Sequence, residues 1–131
     1  KEAGGSVERV NAIKRICPNL PVLSGDDSLT LPMISVGACG VISVASNIIP
    51  AEVQKMADLA VDGNMKAAYE IHRKFYPLFH DLFLESNPIP IKAAMAKMGL
   101  IEEEYRLPMC EMSEKPKQQL FATMTACGLL K

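Results

Sequence analysis

The chain has 131 residues, 49% of them apolar and 22% charged, with a formal net charge of −1. This is the composition of one ordinary globular domain. It offers no basic block interleaved with aromatics for nucleic acid, and no apolar run near the roughly 18 residues that span a bilayer.

The polar, Gly-rich start, Lys1 to Val10, does not read as a signal peptide. Ser6 stands where a cap belongs, ahead of Val7, Val10, Ile13 and Ile16, which recur at helical spacing until Pro18. Leu20 to Gly25 is a short apolar run. A second helix is predicted from about Ser28 to Val36, with Pro32 tolerable near its first turn and Gly37 at its end. Gly40 to Ser46 is apolar and β-branched, the strongest strand signal in the chain. Pro50 opens a third helix with Val53, Met56, Leu59 and Ala60 on one face, and Gly63 closes it.

The two strand candidates are nearly continuous apolar runs, as expected of strands covered on both faces in a parallel sheet. Each is followed by a helix of about ten residues, the minimum for a crossover. The end of a further strand fits at Lys1. This alternation predicts an α/β fold with a parallel sheet.

The remainder reads as helix. Asn64 caps a long segment carrying Ala67, Ala68, Ile71, Phe75, Leu78, Phe79 and Leu82, with a kink predicted at Pro77. Asn87-Pro88-Ile89-Pro90 reads as an extended break. A shorter helix runs to Met98 before Gly99, residues 104 to 112 are extended, and Ser113 caps a last helix ending at Gly128. Met56, Met65, Met95, Met98 and Met124 read as core or subunit-contact filling. Cys17, Cys39, Cys110 and Cys127 share no CxxC spacing, and His72 and His80 lie far from most of them in sequence. Neither a disulfide framework nor a zinc site is indicated. Four buried or half-buried thiols in a reducing, cytoplasmic setting are expected.

Two or three parallel strands with a helical tail leave sheet edges open, and a closed barrel needs eight strands and roughly 250 residues. Something in front of residue 1 is therefore expected.

Five segments, in register, resemble one family. Lys1-Glu2-Ala3 followed by Gly is similar to the lysine motif ending the sixth barrel strand of dihydrodipicolinate synthases, members of the class I pyruvate-dependent aldolase superfamily. Leu23-Ser24-Gly25-Asp26-Asp27 resembles their seventh-strand motif. Gly40 to Val44 with Asn47 resembles the eighth. Asn87 to Lys92 and Arg106-Leu107-Pro108-Met109 resemble markers of their C-terminal helical region.

The resemblance implies that residues 1–63 are the C-terminal segment of a TIM (β/α)8 barrel, from about the end of strand 6 to strand 8. Residues 64–131 are then a C-terminal helical region. It implies condensation of pyruvate with aspartate 4-semialdehyde to 4-hydroxy-tetrahydrodipicolinate, on the way to diaminopimelate and lysine. No metal or organic cofactor is implied. A homo-oligomer, dimer or tetramer, is.

Lys1 is the implied Schiff-base residue; composition alone would read it as a solvated lysine. Ile42 matches the residue whose main-chain carbonyl faces the active site, while its side chain reads as core. Gly25 matches the place where backbone approaches the pyruvate-derived part of the site, and reads equally as a turn glycine. Asp26 and Asp27 read as helix-capping and loop residues, where negative charge is favoured. Lys92 reads as a solvated helix residue.

The family's carboxylate-gripping threonines, relay tyrosines and second-substrate arginine belong to the N-terminal half and have no counterpart among these residues. Residues 1–131 alone are therefore expected to be inactive and not stably folded. Two alternatives stand beside this reading. One is a sister aldolase such as N-acetylneuraminate lyase or a keto-deoxy sugar acid aldolase. It is disfavoured because it should carry a Tyr-containing segment in place of Ser24 to Asp27 and lack the Asn87 to Lys92 motif. The other is a non-catalytic fragment serving as a scaffold.

Overall fold

A computed structural model describes residues 1–130. They form two compact units, residues 1–73 and 74–130, and one continuous helix passes from the first into the second.

In the first unit three short segments run side by side in parallel. Glu2 bridges Ser24, and Ser24 bridges Val41. The Glu2 N–H donates to the Leu23 carbonyl at 2.8 Å and the Gly25 N–H to the Glu2 carbonyl at 2.7 Å. The Ser24 N–H donates to Gly40 at 2.9 Å, and the Ile42 N–H to Ser24 at 2.7 Å. This is the slanted ladder of parallel pairing, with the three C-terminal ends at one edge. The pairing is shorter than the apolar runs suggest. Past Ile42 the chain leaves the ladder and enters a 3-10 turn, Ala45–Asn47. The strand predicted as far as Ser46 therefore stops early.

Helices cross over between the segments. The first, α1 (Val7–Ile16), starts after Ser6 as predicted, although the Ser6 side chain makes no cap bond. Val10 is fully buried, while Ile16, assigned to the same apolar face, is 79% exposed. A three-residue repeat drifts around a helix of 3.6 residues per turn, so by Ile16 the stripe has rotated off the buried face. The next helix, α2 (Thr30–Ser35), is two residues shorter at its start than predicted. The Ser28 N–H and Oγ both donate to Asp26 Oδ1, at 3.1 and 2.9 Å, holding that stretch in a turn. The third, α3 (Pro50–Val61), opens on Pro50 as predicted and buries Val53, Met56 and Ala60. Gly63 follows it at φ 84°, where a side chain would be strained.

The long helix α4 (Met65–Asp81) continues helically through Pro77. Asn64 Oδ1 accepts from the Ala67 N–H at 3.3 Å, the cap expected of it. In the second unit α4 buries Phe75, Leu78 and Phe79, with Leu82 just beyond. The break at residues 87–90 is narrower than expected, because α5 (Ile89–Lys97) already begins at Ile89, with Pro90 in its first turn. Residues 102–112 form neither helix nor strand, and α6 (Glu114–Ala126) closes the unit. Met56 and Met124 are fully buried, as core filling requires, whereas Met65, Met95 and Met98 are half-exposed.

The expectation of buried or half-buried thiols holds for Cys127 alone. Cys17, Cys39 and Cys110 are exposed and Cys127 is half-buried; all four are free. Three of the four sit in loops or helix ends, where no core reaches them. Burial pushes the Cys127 thiol above its ordinary value. Lys92 is also not simply solvated: its Nζ lies 5.4 Å above the Tyr105 ring.

Lys117 donates to both oxygens of Glu103, at 2.7 and 3.0 Å, and the Tyr105 hydroxyl adds a third bond. The Lys117 hydrogen bond holds the Glu103 carboxyl below its ordinary 4.5. A carboxyl depressed in the folded state stabilises above its unfolded value, and loses that contribution as pH falls through the folded one. Because the pair is partly open to solvent, its worth is about 0.5 kcal/mol. Lys117→Ala should cost that much at pH 7 and nothing once Glu103 is protonated in both states. Unfolding at pH 7 and in acid below the folded-state pKa of Glu103 checks this, and an equal cost at both would attribute the loss to packing instead.

Candidate functional site

Gly25 and Ile42 directly follow paired residues of the ladder, Ser24 and Val41, whereas Lys1 directly precedes one, Glu2, and reaches Gly25 with its side chain. Lys1 directly precedes Glu2, whose N–H and carbonyl both pair with the middle segment. The Lys1 side chain lies along Gly25: a Cβ built on Gly25 would stand 2.6 Å from Lys1 Cε and 2.5 Å from Ala3 Cβ. Only glycine admits both. Gly25 is thus required by the close approach of Lys1 and Ala3. Ile42 follows on the third segment, with its N–H bonded to Ser24 and its side chain 48% exposed. That side chain is not core in this chain.

Two further residues shape this edge in ways their sequence context did not indicate. The Glu2 carboxylate, 6% exposed, turns back on its own loop. Its Oε1 accepts from the Gly4 N–H at 2.6 Å and its Oε2 faces Arg9 Nε at 3.3 Å. The bonds close the loop just after Lys1. With Arg9 itself 66% exposed, the ion pair contributes little energy and mainly sets the path of the chain.

Asp27 is the second. It is 1% exposed and does not cap the helix that follows it, α2. Its Oδ2 accepts from the Val44 and Ala45 N–H groups, both at 3.0 Å. It therefore joins the loop after the middle segment to the loop after the third. Asp26 keeps the local role expected of a loop residue, and Ser24, fully buried, donates to the Asp26 carbonyl at 2.7 Å.

A cleft of about 600 Å³ lies on the flank of the third segment against α3, lined by Gly40, Val41, Ser43, Ser46, Gln54 and Asp58 among others. Its lining does not include Lys1, Gly25 or Ile42. Among the described residues no cluster of three His, Cys, Asp or Glu side chains is arranged to hold a metal ion. No helix of the described residues is long and apolar enough to cross a membrane.

The Lys1 side chain is thus packed on the glycine that ends the middle segment of the ladder. The model of the dihydrodipicolinate synthetase family matches residues 1–127. The chain belongs to that family. The 4-hydroxy-tetrahydrodipicolinate synthase of Endomicrobium trichonymphae is 45% identical over 131 residues, all of this chain and 45% of the relative. The same enzyme from Methylacidiphilum fumariolicum SolV superposes with a TM-score of 0.96 at 44% identity, over 98% of this chain and 43% of the other. A chloride-inhibited dihydrodipicolinate synthase from Acinetobacter baumannii, complexed with pyruvate, superposes with a TM-score of 0.94 at 34% identity, over 99% of this chain and 45% of the other. The chain thus spans about 45% of the length of the dihydrodipicolinate synthases it matches.

Proposed function

We propose that these residues are the Schiff-base portion of a 4-hydroxy-tetrahydrodipicolinate synthase, acting within a longer chain. The observation that carries the reading is the Lys1 side chain laid on Gly25, which stands at the C-terminal end of the middle segment of a parallel ladder. In barrel enzymes that end is where chemistry is done.

The chemistry follows from the residue type. Neutral Lys1 Nζ adds to the ketone carbon of pyruvate, forming a C–N bond, and loss of water leaves an iminium. The iminium draws electrons from the neighbouring methyl group, which gives up a proton to become an enamine carbon. That carbon attacks the aldehyde of aspartate 4-semialdehyde, forming the new C–C bond. The product then cyclises and releases the lysine. A free lysine is almost wholly protonated at neutral pH, so the site must favour the neutral amine by excluding water. Gly25 serves by giving the amine and its adduct room. Ile42 serves through its main-chain carbonyl, which is free of any side-chain requirement. The same reading implies a cytoplasmic homo-oligomer, dimer or tetramer, and sedimentation of the intact protein decides that point.

The test is reduction of the intact protein with borohydride in the presence of pyruvate, followed by peptide mapping. Reduction converts the imine to a secondary amine, so a pyruvate-derived mass on the ε-amine of Lys1 is expected. An intact, folded protein that acquires no adduct, or acquires it on another lysine, would sink the assignment.

A further inference from the structure

We propose that Asp27 is a positioning residue that fixes the backbone after Ile42 against the Lys1–Gly25 contact, and thereby sets the affinity for the keto-acid substrate. The inference rests on the reading of Lys1 as the imine-forming amine.

Asp27 is a carboxylate 1% exposed, in a loop, with no cation bonded to it among the described residues. Buried carboxylates are costly unless their oxygens are satisfied. Here one oxygen does all the bonding. Oδ2 takes two consecutive backbone N–H groups, those of Val44 and Ala45, while Oδ1 is buried without a hydrogen-bond partner. The two N–H groups open the 3-10 turn Ala45–Asn47, where a backbone leaves its donors unused.

The consequence is a cross-link between two loops that the ladder does not reach. The last ladder bond of the third segment is Ile42 N–H to Ser24. Beyond it the chain turns away, and Asp27 catches it two residues later. On the other side Asp27 stands two residues after Gly25, the residue against which Lys1 lies. Between the amine and the Ile42–Val44 backbone the rigid path is therefore Gly25, Asp27, Val44. Further bonds stiffen the loop itself: Ser24 Oγ and Thr30 Oγ1 both donate to the Asp26 carbonyl, at 2.7 and 3.1 Å. A loop braced this thoroughly does more than cover a turn. It holds main-chain groups of one segment at a set distance from a side chain of another, and misplacing such groups by about 1 Å can cost a hundredfold in rate.

This role predicts what different side chains at position 27 do. One acceptor oxygen suffices, so Asp27→Asn can present its amide oxygen to Val44 and Ala45 and place its NH2 where Oδ1 was. Asp27→Ala loses both bonds. In the intact protein, Asp27→Ala should raise KM for pyruvate by about tenfold or more, with kcat at saturating pyruvate much less affected. Asp27→Asn should restore KM to within about threefold of the unsubstituted protein. A merely structural residue would instead lower Tm and the active fraction, and so apparent kcat, at unchanged KM. An unchanged KM in folded Asp27→Ala would overturn the proposal. So would a kcat loss of about a hundredfold in Asp27→Asn at unchanged KM, because that is the mark of an acid–base group.

If Asp27→Ala does not fold, Asp27→Asn decides alone through hydrogen exchange of the Val44 and Ala45 amides. Protected amides with near-normal KM support the clamp, and unprotected amides with normal KM refute it. Failure of the lysine reading shows separately, as absence of the trapped adduct in the unsubstituted protein.

Discussion

On the proposed reading, Gly25→Ala in the intact protein is expected to lose two orders of magnitude or more in kcat/KM for pyruvate while remaining folded. The added methyl carbon would stand 2.6 Å from Lys1 Cε and 2.5 Å from Ala3 Cβ, and 3.2 Å from Ala3 Cα. The first could be relieved by swinging the lysine chain aside. The second and third cannot, because Ala3 follows Glu2, whose N–H and carbonyl are both fixed in the ladder. Relief must therefore come from shifting the Gly25 or Ala3 backbone, and Lys1 with it, away from the position the proposed reaction requires. Misplacement of a reacting group by about 1 Å is enough for a hundredfold loss. Stability should suffer less, by about 1–3 kcal/mol for overpacking at one point. The decisive measurement is the rate of borohydride trapping at saturating pyruvate, beside a thermal melt. Slow trapping at near-normal Tm is expected. Trapping at the normal rate would mean that the lysine has room to spare and that Gly25 is only a turn residue.

Much of this site was legible in the sequence because its parts are local. The lysine, the glycine and the isoleucine of the third segment each sit in a short motif. The helices were legible for a similar reason: Pro50 and Gly63 bound α3, and Asn64 caps α4, each through bonds within a few residues. What escaped was long-range. Asp27 looked like a capping residue because Asx side chains usually bond within their own turn. Its partners lie 17 and 18 residues on, and no local pattern signals them. The same bonds explain why the strand signal at Gly40 to Ser46 overran: β-propensity persists through Val44, but two side-chain hydrogen bonds draw the backbone into a turn there. Ile16 and the exposed cysteines failed on another account. Periodicity says which residues share a face, and only tertiary packing says how far along the helix that face stays covered.

The second unit rests on a buried carboxylate that makes Asp81→Ala the largest expected stability change. Asp81 ends α4 and is 5% exposed. Its Oδ2 accepts from the Thr123 hydroxyl at 2.6 Å, and its Oδ1 from the Gln119 amide at 3.0 Å, with His80 Nδ1 at 2.9 Å. Gln119 and Thr123 are four apart on α6, so they project from one face onto the same carboxylate. Hydrogen bonds to a charged group are worth about 1.5–3 kcal/mol each, and a donor left buried without a partner costs about as much as the bond gave. Truncation removes both bonds and strands the half-buried Thr123 hydroxyl, while exposed Gln119 turns to water, so a loss of about 3 kcal/mol is expected. Thr123→Val removes one donor and keeps the shape, and should cost about 1.5 kcal/mol. His80→Ala should cost about 0.5 kcal/mol or less, since that ring is 63% exposed. The double change Asp81→Ala with Thr123→Val should be less damaging than the sum of the two singles, because the second removes a donor the first had orphaned. Urea unfolding of the four variants, read through hydrogen exchange of the α4 and α6 amides, gives each value. Strict additivity in the double variant, or a His80→Ala loss equal to that of Asp81→Ala, would show that the carboxylate is not what ties α6 to the end of α4.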